Sequence, residues 1–353
     1  MNVTRLLLAG ILILLSCRPG REAQTADTTG DIPVGVYGAL TGDQAAFGTS
    51  TVNGVRLAAD EINAAGGVLG RKIALIGENS SNQSLAAAPI AQANGVPMIS
   101  PSSTNPAVTE KGEYIFRVCF TDPYQGKALA AFVRNELKLD TAAILVDRKN
   151  DYSVGLAGVF RKEFESAGGK IVGEQSYSGG DTEFRPQLTT IRAASPQALF
   201  IPGFYTEVGQ IAIQVRDLGM NMPLVGGDGW DSPAVIQIGG KAVEGSYFSD
   251  HYFVGDTRPV VQTFVAEYRK RYNRNPEANA ALGYDALKIF AQAMGRAGST
   301  DRKAIRDQIA ATKDYQGVSG TISMGADRNP VKPVAMIKIE NGQMNFAGWI
   351  TPQ

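Results

Sequence analysis

The strongest constraint on the fold is an alternation that repeats along nearly the whole chain. From Asp31 onward, short apolar runs of strand length take turns with longer segments whose apolar residues recur at helical spacing. IPVGVYGA reads as a strand and its turn. VNGVRLAADEINAAGG reads as a helix, with Val55, Leu57, Ala58 and Ile62 on its apolar side and glycines at its end. KIALIG, VPMISPS and YIFRVCF read as strands, with the helix SLAAAPIAQANG among them. The scheme then restarts. The helices DPYQGKALAAFVRNEL, VGLAGVFRKEFESAGG, FRPQLTTIRAAS and EVGQIAIQVRDLG take turns with the strands AAILVD, KIVGEQSY, ALFIPGF and PLVGGDGW. Three more helices follow, RPVVQTFVAEYRKRY, ANAALGYDALKIFAQAMGRAG and DRKAIRDQIAATK. The strands PVAMIKIE and MNFAGWI close the chain about the turn signal Asn341-Gly342. Such an order predicts an α/β fold with parallel sheets covered by helices on both faces. EINAAGGVLG and EFESAGGKIVG both end a helix on Ala-Gly-Gly and lead into a strand. With the repeated alternation, this echo predicts two similarly built lobes.

The chain has 353 residues, room for about two domains. Lys+Arg and Asp+Glu are both 34, so charge makes no case for nucleic acid or an anionic surface. The N-terminal stretch is set apart. LLLAGILILL is about half the roughly 20 residues that a bilayer requires, and it reads as a signal-peptide core. Leu14, Leu15 and Ser16 before Cys17 resemble the bacterial lipoprotein lipobox, although Leu15 is larger than that pattern prefers. The resemblance implies a cut before Cys17, which becomes a lipidated N-terminus; the alternative is an ordinary secretory signal with an incidental cysteine. Residues 1–17 are thus expected to be a leader and 18–30 a polar tether. Cys119, the one thiol left, has no internal partner and is expected to be a small buried group.

GALTGDQAAFGTSTVNGVRLAADEINAAGGVLGRKI, GENSSNQSLAAAPIAQANGVPMISPSSTNP, FRVCFTDPYQG and VGGDGWDSP stand in that order. Together they resemble the periplasmic substrate-binding proteins of ABC transporters, in the branch that binds leucine, isoleucine and valine. The resemblance covers nearly the whole mature chain. It implies a type I periplasmic binding protein, whose two Rossmann-like lobes are joined by a three-crossing hinge and close on an amino acid. Residues 31–120 with 252–330 would form the first lobe, and 121–251 with 331–353 the second. One departure stands out. The family has about thirty further residues after GRKI, and here KIALIG runs straight on after Ile73, as though one strand–helix unit were missing. With strand order 2-1-3-4-5, the missing strand is at the sheet edge.

An amino acid brings a carboxylate, an ammonium and a side chain. GENSSNQSLAAA, where a strand gives way to a helix, offers hydroxyls and free backbone N–H groups to a carboxylate. The family's pattern places a carboxylate-binding serine at Ser81; helix capping by Ser81 or Ser84 is the plain alternative. In SPSSTNPAVTE, Ser103 and Thr104 match the family's other carboxylate contacts, and a turn fixed by Asn105-Pro106 is the alternative. Asp228 in VGGDGWD matches the acid that takes the ammonium. Asp122 matches a second acidic position, or else caps a helix before Pro123. Phe47, Tyr152, Phe204 and Tyr205 follow strands, on the side where open α/β sheets bind ligands, and would shape the rest; Trp230 is a weaker candidate. Mostly apolar walls favour an aliphatic or aromatic side chain.

The expected partners are an amino acid and a membrane permease, with no nucleic acid, for a monomer that is periplasmic or otherwise extracytoplasmic and lipid-anchored. No cofactor is expected, since there is no phosphate loop and no His/Cys cluster for a metal. Catalysis is not expected either. His251 is the only histidine, and no G-x-S-x-G elbow accompanies it. The alternative job for the same clamp is a sensor that passes ligand state to a signalling partner.

Overall fold

The computed structural model describes residues 30–36, 39–76 and 81–351, without the side chains of 74–76, 81 and 82. The leader, Cys17 and tether residues 18–29 lie outside the described residues. The first half opens with β1 (Ile32–Gly35), α1 (Ala45–Ala64), β2 (Ile73–Ile76), α2 (Ser81–Ala93), β3 (Met98–Ser100) and β4 (Ile115–Arg117). The second half holds α3 (Asp122–Ala131), β5 (Thr141–Asp147), α4 (Asp151–Ser166), β6 (Lys170–Tyr177), α5 (Arg185–Ala193) and β7 (Ala198–Phe200). It continues with α6 (Tyr205–Asp217), β8 (Leu224–Gly226), α7 (Pro233–Gly239) and β9 (Tyr247–Asp250). The chain then returns to the first half for α8 (Pro259–Tyr272), α9 (Ala278–Ala297), α10 (Arg302–Ala310), β10 (Tyr315–Gly317) and β11 (Gly320–Ile322). It ends in the second with β12 (Val334–Glu340) and β13 (Gln343–Ile350). It therefore passes between the halves three times: after β4, after β9 and before β12.

The second half is built on one sheet, in the order β13-β12-β9-β8-β7-β5-β6. Strands β5 to β9 are parallel and take the 2-1-3-4-5 arrangement. Alternate residues feed opposite faces, as a period of two demands. Ala143, Leu145, Leu199 and Leu224 enter one buried cluster. Ala142, Ile144, Phe200 and Val225 enter the other. The closing hairpin forms as expected. Glu340 pairs with Gln343, and Asn341 and Gly342 take φ of 55° and 68°, the left-handed pair that a tight hairpin turn requires.

The first half is less continuous. β1 and β2 pair in parallel, Ile32 with Ile73 through Gly35 with Ile76, and β3 pairs separately with β4. Helices carry much of the packing. α1 lies so close to α9 that a Cβ on Gly54 would stand 1.9 Å from the Ala280 carbonyl oxygen, and one on Gly283 would stand 2.6 Å from that of Thr51. Glycine inside these helices thus serves close approach, against its usual cost of about 1 kcal/mol. YIFRVCF is a strand only as far as Arg117; Val118, Cys119 and Phe120 are fully buried beyond it. Burial pushes the Cys119 thiol up to about 12, so it stays protonated.

Candidate functional site

Strand order places the cleft. In the second half the crossovers diverge between β5 and β7, so the segments after these strands frame a crevice at their carboxyl ends. Asn150 follows β5 and caps α4 by accepting from Tyr152 N at 3.0 Å, which orients Tyr152 inward. Phe204 follows β7 and opens α6. Gly227 and Asp228 follow β8. A Cβ on Gly227 would lie 2.4 Å from the Tyr152 hydroxyl, so only glycine lets that phenol reach the neighbouring acid. His251 follows β9 directly.

These side chains converge on Asp228. Its Oδ1 accepts from Tyr152 Oη at 2.9 Å and from Gln125 Nε2 at 3.1 Å, and its Oδ2 stands 3.0 Å from His251 Nε2. Burial lowers the His251 pKa, so the ring is neutral and donates through Nε2–H. Its Nδ1 is buried without a partner, and the ring stacks on Phe120 at 3.8 Å between centroids. Burial likewise raises the Tyr152 pKa well above the usual phenol range and keeps it a donor. Three donors thus hold a carboxylate in place at the cleft wall.

Behind them, Gln125 also donates to Asp122 Oδ1 at 2.8 Å and accepts from Ser249 Oγ at 2.9 Å. Burial, then the charge of Asp228, pushes the Asp122 carboxyl up to about 7. Asp122 opens α3 and is 1% exposed; it is not among the residues lining the cleft, which it meets through Gln125 and through its backbone N–H, donated to the Thr104 carbonyl at 2.9 Å. The expected direct contact with ligand is therefore replaced by a supporting position.

Across the cleft stands the loop after β3. The buried Arg117 guanidinium donates to the carbonyls of Ser103, Asn105 and Pro106, and so pins the loop. Ser103 is fully buried. Its N–H donates to Ser100 Oγ, its hydroxyl meets Ser84 Oγ at 2.7 Å, and its carbonyl is held by Arg117. Its polar groups are committed to the loop, which corrects its expected place as a carboxylate contact. Ser102 and Thr104 on either side line the cleft instead, and Thr104 Oγ1 has no hydrogen bond of ordinary geometry. Ser81 stands first in α2, and its side chain lies outside the described residues.

Phe47, Tyr152, Phe204, Thr104 and Asp228 all line the cleft, with Gln44, Thr51, Asp250, His251, Ala278 and Asn279. The open space between these side chains is about 530 Å³ with its mouth included. Tyr205 is not a lining residue. Its ring packs in the second half's core, and its hydroxyl donates to the Asp43 carbonyl of the first half at 2.6 Å. Trp230 is also core, donating to the Ile201 carbonyl at 3.0 Å. The halves touch elsewhere too. Phe47 meets Phe204 and Tyr205 edge-on at 6.1 and 5.0 Å, and Asp231 accepts from Ala278 N at 2.6 Å. The two halves are thus in direct contact beside the cleft.

A family model described as "Periplasmic binding protein" matches residues 31–78 and 73–343. The chain belongs to the periplasmic binding protein family. The two matched stretches share residues 73–78, which include β2. Among relatives of this periplasmic binding protein is Leu/Ile/Val-binding protein homolog 3 of Brucella melitensis biotype 1. The two are 30% identical over an alignment of 302 positions that covers 78% of this chain and 81% of the relative. The crystal structure of the leucine binding protein LivK from Thermotoga maritima is 35% identical, with a TM-score of 0.87 over 91% of this chain and 99% of that one. LivJ of Streptococcus pneumoniae, solved with isoleucine, is 31% identical, with a TM-score of 0.85 over 91% and 100%. The likeness makes the fold a type I periplasmic binding protein.

Proposed function

We propose that this chain is the extracytoplasmic solute-binding component of an ABC importer, and that it closes on an α-amino acid and delivers it to a membrane permease. The observation that carries the reading is Asp228, a cleft-lining carboxylate already oriented by Tyr152, Gln125 and His251 and facing the Ser102–Thr104 loop. A zwitterion matches that pairing, its ammonium on Asp228 and its carboxylate on the hydroxyls and amides opposite. Phe47 and Phe204 supply apolar wall for a branched-chain or other apolar side chain, in keeping with what the related proteins' names say they bind. Ligand bridges both halves and so favours the shut clamp.

The same reading assigns 31–120 with 252–330 to one lobe and 121–251 with 331–353 to the other. It takes residues 1–17 as a leader ending at a lipidated Cys17, and the protein as a lipid-anchored monomer without catalytic activity. A missing strand–helix unit after Ile73 is supported by the twofold match of residues 73–78 and by the divided sheet of the first half. Calorimetric titration with leucine, isoleucine and valine tests the proposal. Dissociation constants in the micromolar range or tighter, about −8 kcal/mol, are expected. No heat with any α-amino acid, from protein that melts cooperatively, overturns it.

A further inference from the structure

Not every group in the cleft is explained by the ammonium and the carboxylate. Gln44, Phe47 and Thr51 lie three and four residues apart, on one face of α1 that is turned to the cleft. Gln44 stands at the N-cap position, yet its side chain makes no capping bond. Thr51 is 1% exposed and Asn279, the second residue of α9, is 6% exposed. Neither side chain makes a hydrogen bond among the described residues, though both line the cavity. Asp250, at 4% exposure, spends Oδ1 on the His251 N–H at 2.7 Å and lines the same space. Buried polar groups are nearly always partnered. Three near-buried polar side chains aimed into one cavity therefore describe what its occupant carries.

We propose that the cleft takes amino acids whose side chain ends in a carboxamide, with Thr51 and Asn279 donating to its carbonyl and Asp250 accepting from its amide N–H. This rests on the amino-acid reading above and widens its ligand class beyond apolar side chains. The donor and acceptor sets match. A carboxamide presents an acceptor oxygen and two N–H donors, while the site offers donors from a hydroxyl and an amide and an acceptor from a carboxyl group. A purely aliphatic side chain would leave these groups buried and unpaired, at a cost of roughly tenfold in affinity or more for each. A cationic side chain fits less well. Burial, then the charge of Asp231, raises the Asp250 pKa well above the usual carboxylate range, which disfavours the full negative charge that a cation would call for. Phe47 and Phe204 would flank the methylene stem.

The test is calorimetric titration of the full chain with glutamine, asparagine, glutamate and leucine, repeated with Thr51→Val and Asn279→Leu. Wild type should bind glutamine or asparagine at least as tightly as leucine, and at least tenfold more tightly than glutamate. Each substitution should cut the carboxamide-to-leucine affinity ratio tenfold or more. The wild-type comparison needs no variant to fold, and the two substitutions lie on different helices. If leucine binds and both carboxamides bind a hundredfold more weakly, this proposal is overturned while the amino-acid reading stands. An affinity ratio unmoved in both variants also overturns it. If no α-amino acid binds, both readings fall.

Discussion

Replacing Asp228 with asparagine isolates the charge at the centre of the cleft. The substitution keeps shape and most of the surrounding bonds. An amide oxygen in the place of Oδ1 still accepts from Tyr152 and Gln125. The amide nitrogen in the place of Oδ2 can donate to His251 Nε2 once the ring proton moves to Nδ1, which has no partner in the wild type. The network then exchanges one unpaired ring lone pair for one unpaired N–H. A cost of about 1 kcal/mol, or roughly 2–4 °C in melting temperature, is expected. Binding should suffer far more. An ammonium on a carboxylate gains about 1.5–3 kcal/mol from the charged hydrogen bond, which is roughly 10- to 150-fold in affinity. The Asp228 side chain is only 11% exposed, so solvent and salt screen it little.

The assay is a pair of titrations. One uses the tightest amino acid found, and the other uses its analogue without the amino group. Asp228→Asn should weaken the amino acid by 10-fold or more and move the analogue by less than about threefold. A folded variant that keeps wild-type affinity for the amino acid refutes the assignment. So does an equal loss for both ligands, which would mean that Asp228 shapes the cleft without meeting the ammonium.

Two further outcomes follow from other groups. The unfolded chain releases the Asp122 proton near pH 4, and the folded chain releases it only near 7. Between those values the folded protein holds the extra proton, so this group's contribution to stability is present below about pH 4 and is lost as pH rises through 7. Asp122→Asn should melt close to wild type at pH 4 and higher than wild type at pH 8, by on the order of 5 °C; a constant offset across that range would mean that Asp122 is not the buried titrating group. Tyr205→Phe keeps the core ring but removes the hydroxyl bond to the Asp43 carbonyl. A net hydrogen bond of about 0.5–1.5 kcal/mol then disappears from the contact between the halves, so titration should find ligand bound roughly 2- to 12-fold more weakly, although Tyr205 does not line the cleft. Unchanged affinity would show that this contact does not help hold the clamp shut.

Much of the site was legible for one reason. Tyr152, Phe204 and Asp228 follow strands, and chain order alone puts residues after parallel strands at the ligand end of a sheet. The same signal holds for His251, directly after β9, although no serine elbow accompanies it in the sequence. Gln125 gave no such signal, because it lies within a helix and matters only where α3 meets the end of β8. Ser103 and Ser102 differ by one position in a loop. Which of them faces the cleft is decided by Arg117, whose guanidinium holds the Ser103 carbonyl inward.

By itself the sequence determined the alternation of strands and helices, the parallel sheet of the second half, the closing hairpin, and the acid and aromatic rings that stand after its strands. These are local matters: periodicity, turn chemistry and chain order settle them. Tertiary structure alone decided that the first half's strands pair two by two, that Tyr205 locks the halves together, and that Thr51 and Asn279 open onto the cleft. Those outcomes depend on how surfaces distant in the chain come to rest on one another. α1 and α9 meet through glycines more than two hundred residues apart, and no short-range pattern encodes which of their remaining side chains that contact leaves facing the ligand.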